Sequence, residues 1–272
     1  MNIITAIILG VIQGLTEFVP ISSSGHLVLF HTIFDISEPT LFFDTMLHVG
    51  TLAAVITVLW KDIWAILRKI NQPMTLYVII ATVPLVIAAL VFRKPLELAF
   101  QTGQFLGFAF LMTSALLITA ELLVQRSRRV GIAGTASMSW NDALVIGLMQ
   151  AIAAIPGVSR SGATLSGALS RRLDRDTAAR FAFLLSIPAI LGALVLQLAE
   201  LAGSANAPEP AEGAIGMAAI IAGTLSAAIV GFFAVRLMLK IVREKSLWGF
   251  AVYTGILGLV VLLDQFVLRI VF

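Results

Sequence analysis

Apolar residues along this chain do not alternate with polar ones; they gather into long runs separated by short polar breaks. Six such runs cover roughly 41–60, 74–92, 104–124, 177–200, 214–236 and 247–268. A helix of about 20 apolar residues crosses a hydrocarbon core of about 30 Å. Lipid offers the backbone no partners, so a spanning segment must satisfy its own N–H and C=O groups, as a helix does. The pattern predicts an all-α polytopic membrane protein with six transmembrane helices in a single integral membrane domain, 1–272. Two further apolar segments, 2–31 and 142–170, are broken at Pro20 and at Pro156-Gly157.

The basic residues orient the spans. Lys61, Arg68 and Lys69 follow the first, Arg126, Arg128 and Arg129 the third, and Lys240, Arg243 and Lys245 the fifth, while Arg171, Arg172 and Arg175 precede the fourth. All four clusters share the cytoplasmic side if six spans alternate. The loop 203–213 falls opposite, with Glu209 and Glu212; Arg93 and Lys94 are the exception. Each broken segment must then enter and leave on one side. Both are expected to be re-entrant helical hairpins; the alternative is two kinked spans.

Composition agrees. The chain is 59% hydrophobic and 12% charged, with mean hydropathy +1.02, far from the roughly 25% charged residues of a soluble domain. There is no cysteine, which removes disulfide and thiol chemistry. The first 30 residues have no basic start, and Gln13 and Glu17 interrupt them, so they do not read as a cleavable signal. No basic face interleaved with aromatics exists, so nucleic acid is not an expected partner. Trp60, Trp64, Trp140 and Trp248 sit near span ends as interfacial anchors.

The two hairpins resemble each other. Sliding 10–25 onto 147–162, an offset of 137, pairs Gly10 with Gly147, Gln13 with Gln150, Ser22 with Ser159, Ser24 with Ser161 and Gly25 with Gly162. Because the hairpins enter from opposite sides, pseudo-repeat halves of about 1–125 and 140–272 would form an inverted-topology repeat, whose substrate site usually lies between the repeats on broken helices. The mismatches are informative. Glu17 and His26 face alanines in the other half, and Arg160 faces Ser23. One composite site explains this better than two equal ones.

A charge inside a membrane segment is costly and usually functional. Gln13 and Glu17, four apart, share a helix face, and their oxygens suit a hard divalent cation or a hydrogen bond between helices. Ser22, Ser23, Ser24 and Gly25 can turn backbone N–H groups toward an anion at a helix start, or simply cap that helix. His26 follows, placed as nucleophile or proton carrier. In the second hairpin Arg160 offers a planar fork for phosphate oxygens, with Ser159, Ser161 and Thr164 as neutral donors; pairing with Glu17 is the structural alternative. Asp44 and His48, four apart on the next span, either surround the metal and orient His26 or form an interfacial pair. His31 reads as a helix–helix hydrogen bond.

The Gln13-x-x-x-Glu17 segment continuing into Pro20-x-Ser-Ser-x-Gly-His26, and Pro156-Gly-x-Ser-Arg-Ser-Gly-Ala-Thr164, resemble the two signature motifs of the bacterial undecaprenyl-diphosphate phosphatase family, also called the bacitracin-resistance protein family. The resemblance covers nearly the whole chain. The first motif position is commonly Glu; Gln13 brings no charge there. The resemblance implies hydrolysis of undecaprenyl diphosphate to undecaprenyl phosphate and inorganic phosphate, which recycles the lipid carrier of cell-wall synthesis and confers bacitracin resistance. It also implies a divalent cation, Mg2+ or Ca2+, and a site in the bacterial inner membrane open to the periplasm. Carried over, Glu17 and Gln13 are acid or metal positions, and Ser22, Ser24 and Gly25 cradle phosphate. Ser23 or His26 attacks or moves the proton. Arg160, with Ser159, Ser161 and Thr164, clamps the diphosphate. Partners are then the lipid substrate and the bilayer, with a homo-oligomer left open.

Two other functions compete. The acid-phosphatase-like lipid phosphatases also carry Ser-Gly-His and Ser-Arg, but they need a histidine after the Ser-Arg, and none follows Arg160. A polyprenyl-phosphate transporter or flippase would use the same inverted-repeat cavity.

Overall fold

The computed structural model describes residues 1–36, 40–129, 138–203 and 215–272. The expected acidic loop with Glu209 and Glu212 lies outside the described residues. These contain twelve α-helices: α1 (Ile3–Thr16), α2 (Ser23–Ile33), α3 (Leu41–Val58), α4 (Trp60–Arg68), α5 (Pro73–Val91), α6 (Arg93–Thr102), α7 (Leu106–Arg129), α8 (Trp140–Ile152), α9 (Arg160–Ser170), α10 (Arg175–Gly203), α11 (Met217–Glu244) and α12 (Trp248–Leu263). A π-helical turn, Asp264–Leu268, extends the last.

Six of them, α3, α5, α7, α10, α11 and α12, are long and apolar enough to cross a membrane, and they coincide with the six apolar runs. Their outer faces carry bare hydrocarbon side chains such as Ile79, Leu225 and Phe233, which only a lipid solvent tolerates in that number. The protein is a multi-pass membrane protein.

The two broken segments become helix pairs. α1 and α8 have 14 and 13 residues, α2 and α9 have 11 each. At about 1.5 Å per residue each is shorter than a bilayer core. The polar N-termini of the leading helices are closed by their own side chains. Asn2 accepts from the Thr5 N–H at 2.8 Å, and Ser139 with Asp142 forms a capping box. Each leading helix lies against a span from the other half of the chain, α1 on α11 and α8 on α5. Glycine permits both approaches. A Cβ on Gly10 would collide with the Gly223 carbonyl, and one on Gly147 would stand 2.7 Å from Ala81 Cα.

Away from these pairs, buried charge ties the bundle. Glu121 of α7, 2% exposed, accepts two hydrogen bonds from Arg175 at 2.7 and 2.8 Å and one from the Leu247 N–H at 2.7 Å. Arg171 donates to Asp142 at 2.7 Å. Arg175, read from the sequence as part of the cytoplasmic flank, thus also clasps α10 to α7, and the exposed Arg171 ties the end of α9 to α8 within the second pair. The short helices α4 and α6 were not foreseen. In α4, Trp60 and Trp64 stack at 5.7 Å and Arg68 lies over the Trp64 ring, an arrangement suited to the interface.

Candidate functional site

The breaks in the two helix pairs meet. α1 ends at Thr16, and Glu17 starts a turn that Phe18 anchors, its ring fully buried edge-on against Phe183 of α10 at 5.5 Å. The chain then reverses through Pro20 to Ser22, held at φ 73°. Ser22 caps α2, its hydroxyl accepting from the Gly25 N–H at 3.1 Å. In the second pair Ser159 caps α9 in the same way, accepting from the Gly162 N–H at 3.0 Å. The residues paired by the 137-residue offset thus do the same local work, and two helix N-termini, each with unsatisfied first-turn N–H groups, point into one place.

Three contacts cross between the turns. Arg160 Nη2 donates to Glu17 Oε1. Ser161 Oγ donates to the Val19 carbonyl at 3.0 Å, and the Gly157 N–H donates to Ser24 Oγ at 3.4 Å. Glu17, 5% exposed, gathers the rest: its Oε2 accepts from Ser23 Oγ at 2.6 Å and from Gln13 Nε2 at 2.7 Å, and His48 Nε2 stands 3.5 Å away. Arg160 spends one of its five N–H donors on this pair and keeps an edge toward the cavity.

That cavity, about 310 Å³, is walled by Glu17, Ser22, Ser23, Ser24, Asp44, His48, Ser159 and Arg160 on its polar side. Five expected residues do not reach it. Gln13 is wholly buried behind Glu17. Gly25 lies in the first turn of α2, its N–H on Ser22. Ser161 is turned to Val19, and Thr164 donates to the Arg160 carbonyl of its own helix at 2.9 Å. A hydroxyl one turn into a helix prefers that local acceptor. His26 also faces away. Its Nδ1 lies 2.7 Å from the Ser22 carbonyl and its Nε2 2.8 Å from the Tyr253 hydroxyl. A carbonyl only accepts, so Nδ1 carries hydrogen; in the neutral ring Nε2 then accepts from the tyrosine. Neither Asp44 nor His48 orients His26.

Asp44 instead meets His31, with Nε2 to Oδ1 at 3.3 Å, and His48 Nδ1 donates to the Asp44 carbonyl at 2.8 Å. Both Asp44 carboxylate oxygens are buried without a hydrogen bond, as is Gln13 Oε1. No group of three His, Cys, Asp or Glu able to hold a metal occurs among the described residues. Sequence reasoning missed Tyr253, which lies 227 positions from His26; it read His31 as a contact between helices but did not name Asp44 as its partner.

Fold and site define a polytopic α-helical membrane protein with an acid, an arginine and serine-capped helix ends enclosing a cavity within its helix bundle. Residues 6–260 match the family described as bacitracin resistance protein BacA, and the chain belongs to that family. It is similar to undecaprenyl-diphosphatase 4 of Bacillus thuringiensis subsp. konkukian (strain 97-27), 42% identical over 98% of each chain. The undecaprenyl-diphosphatase of Carboxydothermus hydrogenoformans is 42% identical over 97% of this chain and 98% of that one. That of Halothermothrix orenii is 37% identical over 97% and 98%.

Proposed function

We propose that this protein hydrolyses undecaprenyl diphosphate to undecaprenyl phosphate and inorganic phosphate, and so returns the carrier lipid to cell-wall synthesis and confers bacitracin resistance. The names of its full-length relatives support the substrate. The observation that carries the chemistry is the Ser23 hydroxyl donating to Glu17 at 2.6 Å between two helix N-termini and Arg160.

In this mechanism Glu17 takes the Ser23 proton as Ser23 Oγ attacks the terminal phosphorus. The bond to the bridging oxygen breaks and undecaprenyl phosphate leaves. Glu17 gives that proton to the departing undecaprenyl phosphate, then takes one from the water that attacks the phosphoserine and returns it to Ser23 Oγ as the serine–phosphorus bond breaks and inorganic phosphate leaves. Arg160 and the first-turn N–H groups of α2 and α9 hold the charge that spreads over the equatorial oxygens. Ser22, Ser24 and Ser159 order the phosphate cradle. His26 positions Ser22 rather than attacking, since both ring nitrogens are already engaged.

The donor set fits a divalent cation such as Mg2+ or Ca2+ that borrows substrate oxygens, because one or two carboxylates plus phosphate suffice for a hard ion. Asp44, whose oxygens accept no hydrogen bond although Oδ1 lies 3.3 Å from His31 Nε2, suits it better than Glu17, whose oxygens serve Arg160, Ser23 and Gln13; Gln13, buried behind Glu17 and outside the cavity, would reach such an ion only if the turn moved. Bound there, the cation would neutralise diphosphate charge.

The short helix pairs suit re-entrant hairpins within two inverted halves. With the basic loops cytoplasmic, the cavity beside the first turns of α3 falls in the outer half of the bacterial inner membrane and opens to the periplasm. Nothing in the relatives' names favours transport. Purified protein with undecaprenyl diphosphate and Mg2+ should release orthophosphate, and chelation should suppress it. Lipid movement in sealed vesicles without phosphate release would overturn the proposal.

A further inference from the structure

α3 and α11 run side by side, and Gly231 lies so close to α3 that a Cβ on it would stand 3.3 Å from the Ala54 Cβ. Outside that contact the side chains of α3 are small. Ala53, Ala54 and Thr57 of α3, with Ala228, Ile229 and Phe232 of α11, line a cleft of about 300 Å³. None of the residues proposed for catalysis lines it. The Thr57 hydroxyl donates to the Ala53 carbonyl at 2.8 Å, so the wall offers a ligand only hydrocarbon. Ala53, Thr57 and Ile229 are exposed, and on a spanning pair that side faces lipid.

The cleft ends in positive charge. Arg236 follows Phe232 by one turn of α11, its guanidinium 5.4 Å from the centre of that ring. Lys61 follows Thr57 by one turn, in the first turn of α4, the end of a helix where a cation is disfavoured unless an anion sits beside it. Both side chains are exposed, and among the described residues no carboxylate pairs with either; Asp62, next to Lys61, is held by Arg180 at 3.1 Å. Arg236 stands about two turns before α11 ends at Glu244, and Trp60 and Trp64 mark this end of α3 as the membrane–water boundary. An unpaired guanidinium at that depth on the lipid side is costly. A negative group at the end of a hydrocarbon chain would satisfy both parts of the cleft.

We propose that the cleft between α3 and α11 binds one anionic phospholipid, its phosphate at Arg236 and Lys61 and an acyl chain along Phe232, Ile229 and Ala53. Any lipid chain can cover a hydrocarbon wall; the two unpaired cations select a negative head group over a zwitterionic one. In the orientation proposed above the lipid belongs to the cytoplasmic leaflet, on the side of the membrane away from the catalytic cavity. It braces the two spans against which α1, and with it Glu17, is packed. The site is independent of the reaction, so its test does not use turnover.

Photolabelling with lipids of known head group tests this. The purified protein is placed in phosphatidylcholine nanodiscs doped with a small fraction of phosphatidylglycerol, or of phosphatidylcholine, carrying a diazirine on one acyl chain. The phosphatidylglycerol probe should label 53–57 and 228–233 at least about fivefold more than the phosphatidylcholine probe, since each basic side chain near the head group is worth about 1 kcal/mol. Arg236→Gln combined with Lys61→Gln should bring the two probes level, and Arg243→Gln, about two turns beyond Arg236, should leave the preference intact. Ala53→Phe keeps both charges and fills the cleft at an exposed position, so labelling there should fall to background. Equal labelling by the two probes in the unaltered protein would overturn the anionic site and leave a groove that any lipid fills. Cross-linking of α3 and α11 to a second copy of the chain, with no lipid label between them, would overturn it as well.

Discussion

Glu17 is the residue on which the site turns. Gln13, Ser23, His48 and Arg160 all address its two oxygens, and three of them do different things: Gln13 fixes the carboxylate from behind, Ser23 offers it a proton, Arg160 balances its charge. Ser23→Ala should therefore reduce orthophosphate release by about three orders of magnitude or more, as loss of a nucleophile does. Rapid quenching of the wild type should trap phosphate on Ser23 and none on His26; a phosphohistidine would reverse that assignment. His26 acts at one remove, holding the Ser22 carbonyl while Tyr253 holds it. Tyr253→Phe strands Nε2 without its donor and should lower kcat about 5- to 20-fold with KM little changed; steady-state kinetics read this directly. Glu17, Ser23 and Arg160 stand out in sequence because charged and hydroxyl residues interrupt apolar runs. Tyr253 does not: an aromatic on a spanning helix looks like lipid-facing bulk, and its partner lies 227 residues away.

At the scale of elements, the site exists because two helices start where two others stop. Ser22 and Ser159 both cap, and Gly25 and Gly162 both supply the capped N–H. Gly10 and Gly147 let the leading helices press against spans of the opposite half. Gly10→Ala should push α1 from α11 and cost about 1–3 kcal/mol, as overpacking does, lowering the thermal midpoint in detergent while substrate KM holds. The Glu121 clasp predicts a larger loss. Glu121→Ala leaves the Arg175 guanidinium without a counter-charge, holding only the Lys245 carbonyl at 3.0 Å, and should cost about 3–5 kcal/mol, seen in the same melt. The six spans and both breaks were legible because length and hydropathy are local properties. α4 and α6 were not, because their polar and apolar residues are mixed at a ratio that also describes a loop. The Glu121–Arg175 pair was hidden for another reason: a basic cluster beside a span reads as its solvated flank until a distant acid is found behind it.

At the scale of the whole molecule, the chain joins Glu17 of its first half to Arg160 of its second, 143 positions apart. The lack of cysteine makes orientation easy to check. In intact cells a membrane-impermeant maleimide should label Gln104→Cys, between α6 and α7, and should reach Asn71→Cys, between α4 and α5, only after permeabilisation; the reverse would invert the molecule. That the two turns converge was readable from the mismatches in the repeat, where one half lacks what the other supplies; which hydroxyls face the cavity was not, because a serine beside a helix start has several local acceptors. The joint action of the halves is best measured by a double-mutant cycle on kcat/KM with Glu17→Gln and Arg160→Lys. Each alone should cost about 100-fold. If the two groups work as one site, the double variant should lose far less than the product of the two, within about tenfold of the worse single variant. Fully multiplicative losses would mean that Glu17 and Arg160 act independently, and would contradict the composite site.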